Sequence, residues 1–286
     1  MRSRKSSRAH RVPPRSASIP ERLLQYLGPS LRGRSVADLR LGLLYAAVRF
    51  ADGATGVAHL LTQPSGGPCR PLRGAGQLAG TPAEEVARWV LSRDPTEASV
   101  GLAALNAAAT GTQRPDEVGD IRDLLPISPS DRVAMIGYFA PLLPWLRKTG
   151  AHLDILDIKP IDDPSVRPAE DAAAVLPECD VALISATAII NHTLDGLLVL
   201  CQSARDIVLL GPSTPMVPQV FGSTAVTLLA GVEVTDGQGM LRIVSEGGST
   251  RQFGPVVRKL CVSVRGQPDR HPAPLDGRPT PEDGEE

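Results

Sequence analysis

The chain has 286 residues, 42% of them hydrophobic and 21% charged, which is the composition of an ordinary globular protein with room for two modest domains. Its formal net charge of −1 and its 3% aromatic content argue against the basic surfaces and stacking platforms that bind nucleic acids. No apolar run approaches the roughly 18–20 residues that span a bilayer, so we expect no membrane segment.

The four cysteines, Cys69, Cys179, Cys201 and Cys261, form no CxxC or CxH pair, so their spacing predicts no zinc site. Because residues 1–18 lack the apolar region of a secretory signal, we expect free thiols in a reducing cytoplasm. Cys201 lies on an apolar helical stripe and is predicted to be in the core. Cys69 lies in the loop GGPCRPL and is a weak candidate for metal or redox chemistry, since no base or ligand lies beside it.

The first part of the chain predicts a small α+β domain over residues 19–110, preceded by a disordered basic tail over residues 1–18. Alternating apolar residues over 39–50 and 55–61 predict two strands, because Asp-Gly between such runs is typical of a hairpin. Helices are predicted over residues 19–27, from the capping box Thr81-Pro82-x-Glu84 onward, and over the Ala-rich segment 96–109.

A polar, Pro-broken linker is predicted over residues 111–130, a second domain over 131–265 and a disordered Pro-rich tail over 266–286. Continuous apolar runs that alternate with helical patterns indicate a parallel sheet covered on both faces, hence an α/β fold. The predicted strands are residues 132–137, 153–158, 180–188, 206–210, 226–234, 241–244 and 256–262.

Three of these strands end in small polar residues, at Gly137, at Thr187 and at Gly211-Pro212-Ser213-Thr214. Ligands of open α/β sheets bind outside the carboxyl ends of the strands. We therefore predict a binding cleft at this edge of the sheet.

Several stretches, in order along residues 20–262, match one family pattern: GLLYAAVRFADGATGVA, GPCRPLRGAGQLAGTPAEEVA, ASVGLAALNA, VAMIGYFAPLLPWL, ISATAIINHTLDGLL, LLGPSTPM and SEGGSTRQF. In these the chain resembles the bacterial and archaeal proteins described as putative heavy-metal chelation proteins, a domain of unknown function. The resemblance implies an N-terminal domain like that of enolase, a Rossmann-like C-terminal domain and a site between them.

Carried over to this chain, the resemblance implies a cleft lined by Asn106 of the Ala-rich helix and by residues at the strand ends. Alanine at 186 and 188 removes donors that the family pattern would supply, and His192 stands where the family often has a small residue. The implied strand-end residues are Gly137, Tyr138, Phe139, Thr187, Asn191, Gly211, Ser213 and Thr214.

Asp157 follows Gly137 by twenty residues, the spacing at which a Rossmann acidic residue binds a ribose hydroxyl. However, GYFAPL supplies one glycine where the dinucleotide fingerprint has three, and Tyr138 and Phe139 block a pyrophosphate. The alternative for Asp157 is a plain strand-end carboxylate.

Other polar residues carry structural alternatives too. Thr193 is a predicted helix N-cap, which leaves Asn191 free to face the cleft. The loop that carries Ser213 and Thr214 fits either an anion site or a rigid turn that closes on itself.

The histidine spacing predicts no preformed metal site, and only His192 lies at the proposed cleft. We therefore expect a transition metal, if bound, to arrive on a small chelator, and the cofactor is otherwise unknown. The leading hypothesis is a cytoplasmic protein that binds a small polar ligand, such as a heavy-metal chelate or its organic precursor, between the domains.

The alternatives are an enzyme, such as a transferase, that uses a nucleotide or nucleoside on the Rossmann-like domain, and a non-catalytic regulatory or assembly module. The sequence leaves open whether the chain forms a homo-oligomer. A shared site predicts that Asn106 lies close to the loops 137–139 and 211–214, because a buried Asn on an apolar helix needs hydrogen-bond partners.

Overall fold

The computed structural model describes residues 17–62, 71–111, 119–158 and 161–264. These residues form two lobes, each built on its own sheet: a small antiparallel sheet of three strands and a mostly parallel sheet of seven. The predicted α/β fold class is confirmed. The predicted terminal tails fall almost wholly outside the described residues, as does Cys69.

The small lobe begins with a capped helix, because the Glu21 carboxylate accepts hydrogen bonds from the Ser18 N–H (2.7 Å) and hydroxyl (2.8 Å). Its elements are α1 (Ile19–Leu31), β1 (Val36–Leu41), β2 (Tyr45–Phe50), β3 (Thr55–His59), α2 (Ala83–Ala87), a 3₁₀ helix (Arg88–Leu91) and α3 (Pro95–Ala109).

Two sequence-based expectations for this lobe are wrong in detail. The predicted strand 39–50 is two strands, because the Gly42 N–H donates to the Tyr45 carbonyl (2.8 Å) and closes a turn. The predicted capping box at Thr81 is not formed: α2 starts after Pro82, and the Thr81 carbonyl instead accepts from the Val36 N–H (2.9 Å).

The large lobe carries the second sheet, in the order β10-β9-β8-β7-β4-β5-β6, with only the β9–β10 pair antiparallel. Its strands are β4 (Arg132–Ile136), β5 (His152–Asp157), β6 (Val166–Pro168), β7 (Val181–Ser185), β8 (Asp206–Leu210), β9 (Leu228–Val234) and β10 (Val257–Ser263). Its helices are α4 (Ile121–Leu124), α5 (Leu143–Lys148), α6 (Ala172–Val175), α7 (Thr187–Ile190), α8 (Leu194–Leu200), α9 (Pro218–Phe221) and α10 (Gly237–Ser245), with 3₁₀ turns at Ala140–Leu142, Ala169–Asp171, Leu176–Glu178 and Gly254–Val256.

The predicted strand 241–244 is wrong, because these residues belong to helix α10. The Asp236 carboxylate caps that helix by accepting from the Gly239 N–H (2.9 Å), and Met240, Leu241 and Val244 are buried at helical spacing. A run of four apolar residues is too short to show whether its period is that of a strand or of a helix. The signal for a helix is the N-cap residue Asp236.

The predicted strand 180–188 is also too long, since strand β7 stops at Ser185. The Ser185 hydroxyl accepts from the Thr187 N–H (3.3 Å), and this local turn starts α7. Thr187 therefore lies on a helical turn above the sheet edge, not on the strand.

The small sheet is covered by a helix on each face. Helix α3 packs on one side, where an added Cβ at Gly56 would lie 2.2 Å from both the Ala103 carbonyl oxygen and the Ala107 nitrogen. Helix α10 of the large lobe packs on the other side, burying Tyr45, Ala47 and Val57 with its own apolar residues. Helix α10 of the large lobe thus covers one face of the small sheet, although the two segments lie far apart in the sequence.

The predicted linker 111–130 is only partly a connection. Ile121 and Leu125 are buried in the core of the large lobe, and Asp120 caps helix α4 by accepting from the Arg122 N–H (3.1 Å).

Within the described ranges, no helix is long and apolar enough to cross a bilayer.

Candidate functional site

Asn106 joins the two lobes. It lies on α3, where Gly56 lets β3 approach the helix backbone closely. The Asn106 Nδ2 group donates to the Val57 carbonyl (2.9 Å) and, across the interface, to the Ser213 carbonyl (3.2 Å). The predicted proximity of Asn106 to the 211–214 loop is confirmed.

The other half of the Asn106 amide is unsatisfied. Its Oδ1 atom is buried and has no hydrogen-bond partner among the residues that the structure describes. Buried acceptors in native proteins almost always have a partner, and an orphan points to a water or a ligand.

Ser213 and Thr214 are turned into the lobe interface, with exposed fractions of 2% and 1%. The His59 N–H donates to Ser213 Oγ (2.8 Å), and Thr214 Oγ1 donates to the Ala230 carbonyl (3.2 Å). Their polar groups therefore hold β3 and β9 in place, which corresponds to the rigid-turn alternative for this loop.

A small cleft lies beside Asn106, with walls from both lobes. It leaves about 20 Å³ for the centres of water molecules, and one water needs about 10–15 Å³. The closed cleft therefore admits about one water-sized group. Its lining consists of Thr55, Gly56, Val57, Asn106, Ala109, Thr110, Pro212, Thr214, Met216, Val232, Glu233, Val234 and Leu260.

Glu233 supplies the charge in this lining, and the sequence analysis missed it. Its Oε1 accepts from the Gly111 N–H (2.9 Å), and its Oε2 binds Arg258, its direct cross-strand partner on β10. The available signal was a lone carboxylate within the apolar strand Leu228–Val234.

The loop after β4 is brought to the loop after β8 by an aromatic ring. Gly137 (φ 90°) and Gly211 (φ 106°) both adopt the left-handed region. An added Cβ would meet the Phe139 ring at 3.6 Å from Gly137 and at 3.4 Å from Gly211. Phe139 thus covers the two strand ends where the sequence predicted a ligand.

Tyr138 and Asp157 bind each other. The Tyr138 N–H donates to Asp157 Oδ2 (2.9 Å), and the Tyr138 hydroxyl donates to Asp163 (3.3 Å). Hydrogen bonds from Ser165, followed by the nearby Arg147 guanidinium, lower the pKa of Asp163 to about 2. Neither Tyr138 nor Phe139 lines the cleft beside Asn106, so they are not its apolar walls.

Thr187, Asn191 and His192 also lie outside that cleft lining. The Thr187 hydroxyl pairs with Ser185 Oγ (2.8 Å). Asn191 Oδ1 accepts from the N–H (3.3 Å) and hydroxyl (2.7 Å) of Thr193, which makes no side-chain cap of its own. Thr193 therefore holds the predicted N-cap position of α8, and the Asn191 oxygen is bound locally to Thr193.

His192 is exposed at the turn between α7 and α8, with φ at 59°, and its Nε2 lies 2.9 Å from the Ser92 carbonyl. The described residues contain no group of three or more His, Cys, Asp or Glu side chains that converge on a metal position. The weak metal candidacy of His192 gains no support from this geometry, and Cys69 lies outside the described residues.

The remaining thiols are free, as predicted, and buried, which was predicted for Cys201 alone. Burial raises the pKa of Cys179 to about 11, of Cys201 to about 12 and of Cys261 to about 11. A thiol with such a pKa is almost wholly protonated at neutral pH, so these three are core residues without nucleophilic character.

A larger hollow of about 250 Å³ lies between α1 and α2, away from the strand ends. Its rim includes Leu24, Gln25, Glu84 and Arg88, and it contains none of the three buried unsatisfied polar atoms found in the described residues. We place the candidate site at the interlobe cleft because polar groups of both lobes converge there.

Comparison with known proteins gives one consistent result. An uncharacterized protein of Methanocaldococcus jannaschii is 25% identical over 258 residues, which are 86% of this chain and 96% of that protein. Two crystal structures of proteins of unknown function from the DUF364 family share the fold. The protein from Pyrococcus horikoshii has a TM-score of 0.73 at 24% identity and covers 86% of this chain and 99% of its own. The protein from Desulfitobacterium hafniense has a TM-score of 0.69 at 26% identity, with 84% and 98% covered.

Two family models match in succession, DUF4213 over residues 24–109 and DUF364 over residues 120–263, and both carry the description "Putative heavy-metal chelation". Their boundary coincides with the passage from the small lobe to the large one. The chain belongs to the family that these two models describe.

Proposed function

We propose that the protein binds a small polar ligand, a heavy-metal chelate or its organic precursor, between its two lobes. The observation that carries the proposal is the buried, unsatisfied Oδ1 of Asn106 beside a cleft that both lobes line. A ligand that donates a hydrogen bond to this oxygen removes the cost of leaving it unpaired.

The cleft lining supports this assignment by its chemistry. Val57, Met216 and Leu260 supply apolar contacts, while Asn106 and Glu233 supply oriented polar groups, the combination that small-molecule sites use. Because no convergent protein ligands are present among the described residues, a metal is held by a chelator that the protein recognises as a whole.

The size of the cleft sets a condition on binding. A volume near 20 Å³ holds one small group of a ligand, so the rest of the molecule extends outward or the lobes separate. Separation breaks the hydrogen bonds that Ser213 makes to Asn106 and His59, which limits opening to ligands that replace them.

The enzyme alternative, a nucleotide- or nucleoside-dependent transferase, stays a prediction. Asp157 was the residue that motivated it, and its carboxylate is bonded to the Tyr138 N–H. No contact in the described part of the chain favours a nucleotide over a chelate.

The test compares what co-purifies with the wild type and with Asn106→Leu, after each is loaded with transition metals in cell extract. Native mass spectrometry and metal analysis measure the retained species. We expect the wild type to retain a small molecule or chelate and the variant to retain at least about ten-fold less, since it loses the Oδ1 acceptor and also the hydrogen bonds from Nδ2 to the Val57 and Ser213 carbonyls.

Asn191→Ala is the matched control, because Asn191 is the other asparagine of the chain and does not line the cleft. Equal loss in both variants, or nothing retained by the wild type, contradicts the proposal.

A further inference from the structure

The geometry points to the class of group that enters the cleft: we infer that it is a hydrogen-bond donor, either a primary ammonium group or a water bound to a metal ion. The inference rests on the proposed function and adds that the ligand group donates, and does not accept, the hydrogen bond in the cleft. It follows from which polar atoms of the lining already use their hydrogen atoms.

The Asn106 amide offers only an acceptor. Both hydrogen atoms of Nδ2 are engaged, one by the Val57 carbonyl and one by the Ser213 carbonyl. These two bonds also fix which end of the amide is the oxygen, because a flipped amide would face its oxygen toward two carbonyls. The free end is the buried Oδ1.

The lining hydroxyls are committed as donors too. Thr110 Oγ1 donates to the carbonyl of Thr55 (3.4 Å) or of Asn106 (3.3 Å), and Thr214 Oγ1 donates to Ala230 (3.2 Å). A hydroxyl has one hydrogen and two lone pairs, so each of these groups has only acceptor capacity left.

Glu233 adds a carboxylate, which accepts and does not donate when ionised. Its positive partner Arg258 binds Glu233 through a terminal nitrogen and is not part of the lining, while its buried Nε has no hydrogen-bond partner among the described residues. No lysine, arginine or histidine occurs among the described residues that form the cleft wall. An incoming carboxylate or phosphate would therefore find no free side-chain donor in the lining to replace its water.

Size selects in the same direction. An ammonium nitrogen is compact, as is a metal-bound water, and either fits a space that holds about one water molecule. A whole phosphate group exceeds that space, and a single phosphate oxygen that entered it would face the acceptors of Asn106 and Glu233. The rest of an organic amine or of a hydrated chelate lies outside the cleft mouth.

The experiment measures thermal unfolding of the full chain against increasing concentrations of four salts at constant ionic strength. Methylammonium chloride is the donor probe, and tetramethylammonium chloride is the same charge without an N–H group. Sodium phosphate tests the anion, and nickel chloride, with and without EDTA, tests metal-bound water. We expect saturable stabilisation by methylammonium or by nickel, and none by tetramethylammonium or phosphate.

The two supporting outcomes distinguish the sources of the donor: methylammonium alone indicates an organic amine, and EDTA-reversible nickel alone indicates a hydrated metal. In Asn106→Leu and in Thr110→Val, which removes the hydroxyl at nearly constant volume, we expect the saturation midpoint to rise about ten-fold. Thr110→Val keeps the test usable if Asn106→Leu does not fold.

Stabilisation by phosphate, equal stabilisation by both ammonium ions, or no saturable response to any donor overturns the inference; the last result means that a water alone fills the cleft. The proposed function is tested separately by the co-purified species. A retained ligand that places an anionic group against Asn106 would overturn this inference and leave the proposed function standing.

Discussion

The loops after β4 and β8 begin alike, each with a glycine in the left-handed region, but they direct their polar groups to different places. After β8, the groups of Ser213 bind Asn106 and His59 of the small lobe. After β4, Tyr138 binds Asp157 and Asp163 within the large lobe. The same edge of one parallel sheet thus serves an interface at one strand and a local network at another.

The difference shows what strand-end polarity means. Parallel strands leave polar groups at their carboxyl ends, and these groups bind whatever packs above them. Above β8 lies the pair β3–α3, while the ring of Phe139 covers the glycines that follow both β4 and β8. The candidate site lies where the protein leaves a polar atom unmatched between the lobes, and that atom, Asn106 Oδ1, belongs to the small lobe.

Removing the large lobe tests whether the small lobe depends on the interface, and it has the largest expected effect. A fragment of residues 1–111 keeps the small sheet but loses α10, which covers Tyr45, Ala47 and Val57. We expect this fragment to show no cooperative unfolding transition by circular dichroism, because one whole face of its sheet is exposed. A sharp transition in the isolated fragment would show that the small lobe is an independent domain.

Gly56→Ala attacks the contact that places Asn106. The added methyl would meet the α3 backbone at 2.2 Å, and backbone cannot rotate away, so we expect a loss of about 3 kcal/mol in the free energy of unfolding. Urea unfolding measures it. The control is Gly28→Ala within α1, where a Cβ meets nothing within 4 Å and helix propensity predicts a gain of about 0.5–1 kcal/mol. Equal effects would mean that Gly56 is not a close-contact position.

Much of this fold was predictable because its signals are local. The strand Asp206–Leu210 and the Ala-rich helix around Asn106 follow from apolar runs and their flanking residues, and the strand before Gly137 does too. The run 241–244 failed because four apolar residues fit either period. Its helical state depends on Asp236 and on packing against a sheet nearly 200 residues earlier in the chain.

The sequence predicted where the candidate site lies, but not which polar atoms stay unpaired in it. Sequence indicated that Asn106 would meet the loop containing Ser213, because a buried amide requires partners. It did not indicate that Ser213 would be fully used by the small lobe, nor that Glu233 would enter the lining. Which of several polar groups stays unpaired depends on distances of less than an ångström across the interface, and no spacing rule contains that information.

Ser213→Ala measures how much the loop after β8 contributes to the interface between the lobes. The His59 N–H loses its acceptor inside the interface, so we expect a cost of about 1–3 kcal/mol in the free energy of unfolding. Ser203→Ala, on an exposed turn, is the matched control, with an expected change within about 0.5 kcal/mol.

From the β4 side, Tyr138→Phe removes one half-buried hydrogen bond and should cost about 0.5–1 kcal/mol in the free energy of unfolding. A larger cost for Tyr138→Phe than for Ser213→Ala would reverse our ranking of the two loops.

The β4 network also makes a pH prediction, which the interface bonds of Ser213 do not. Hydrogen bonds from Ser165 and the charge of Arg147 lower the pKa of Asp163 to about 2, below the value of about 3.9 for an unfolded aspartate. A lowered pKa means that the ionised carboxylate stabilises the fold above about pH 4 and that this contribution is lost as the pH falls through about 2. Asp163→Asn should therefore be less stable than the wild type near neutral pH, with the difference shrinking between about pH 4 and pH 2. Urea unfolding across this range measures the difference, and Asp162→Asn, at the exposed neighbouring position, is the control. A stability difference that stays constant down to pH 2 would show that Asp163 acts through packing alone and that the β4 loop is not held by its charge.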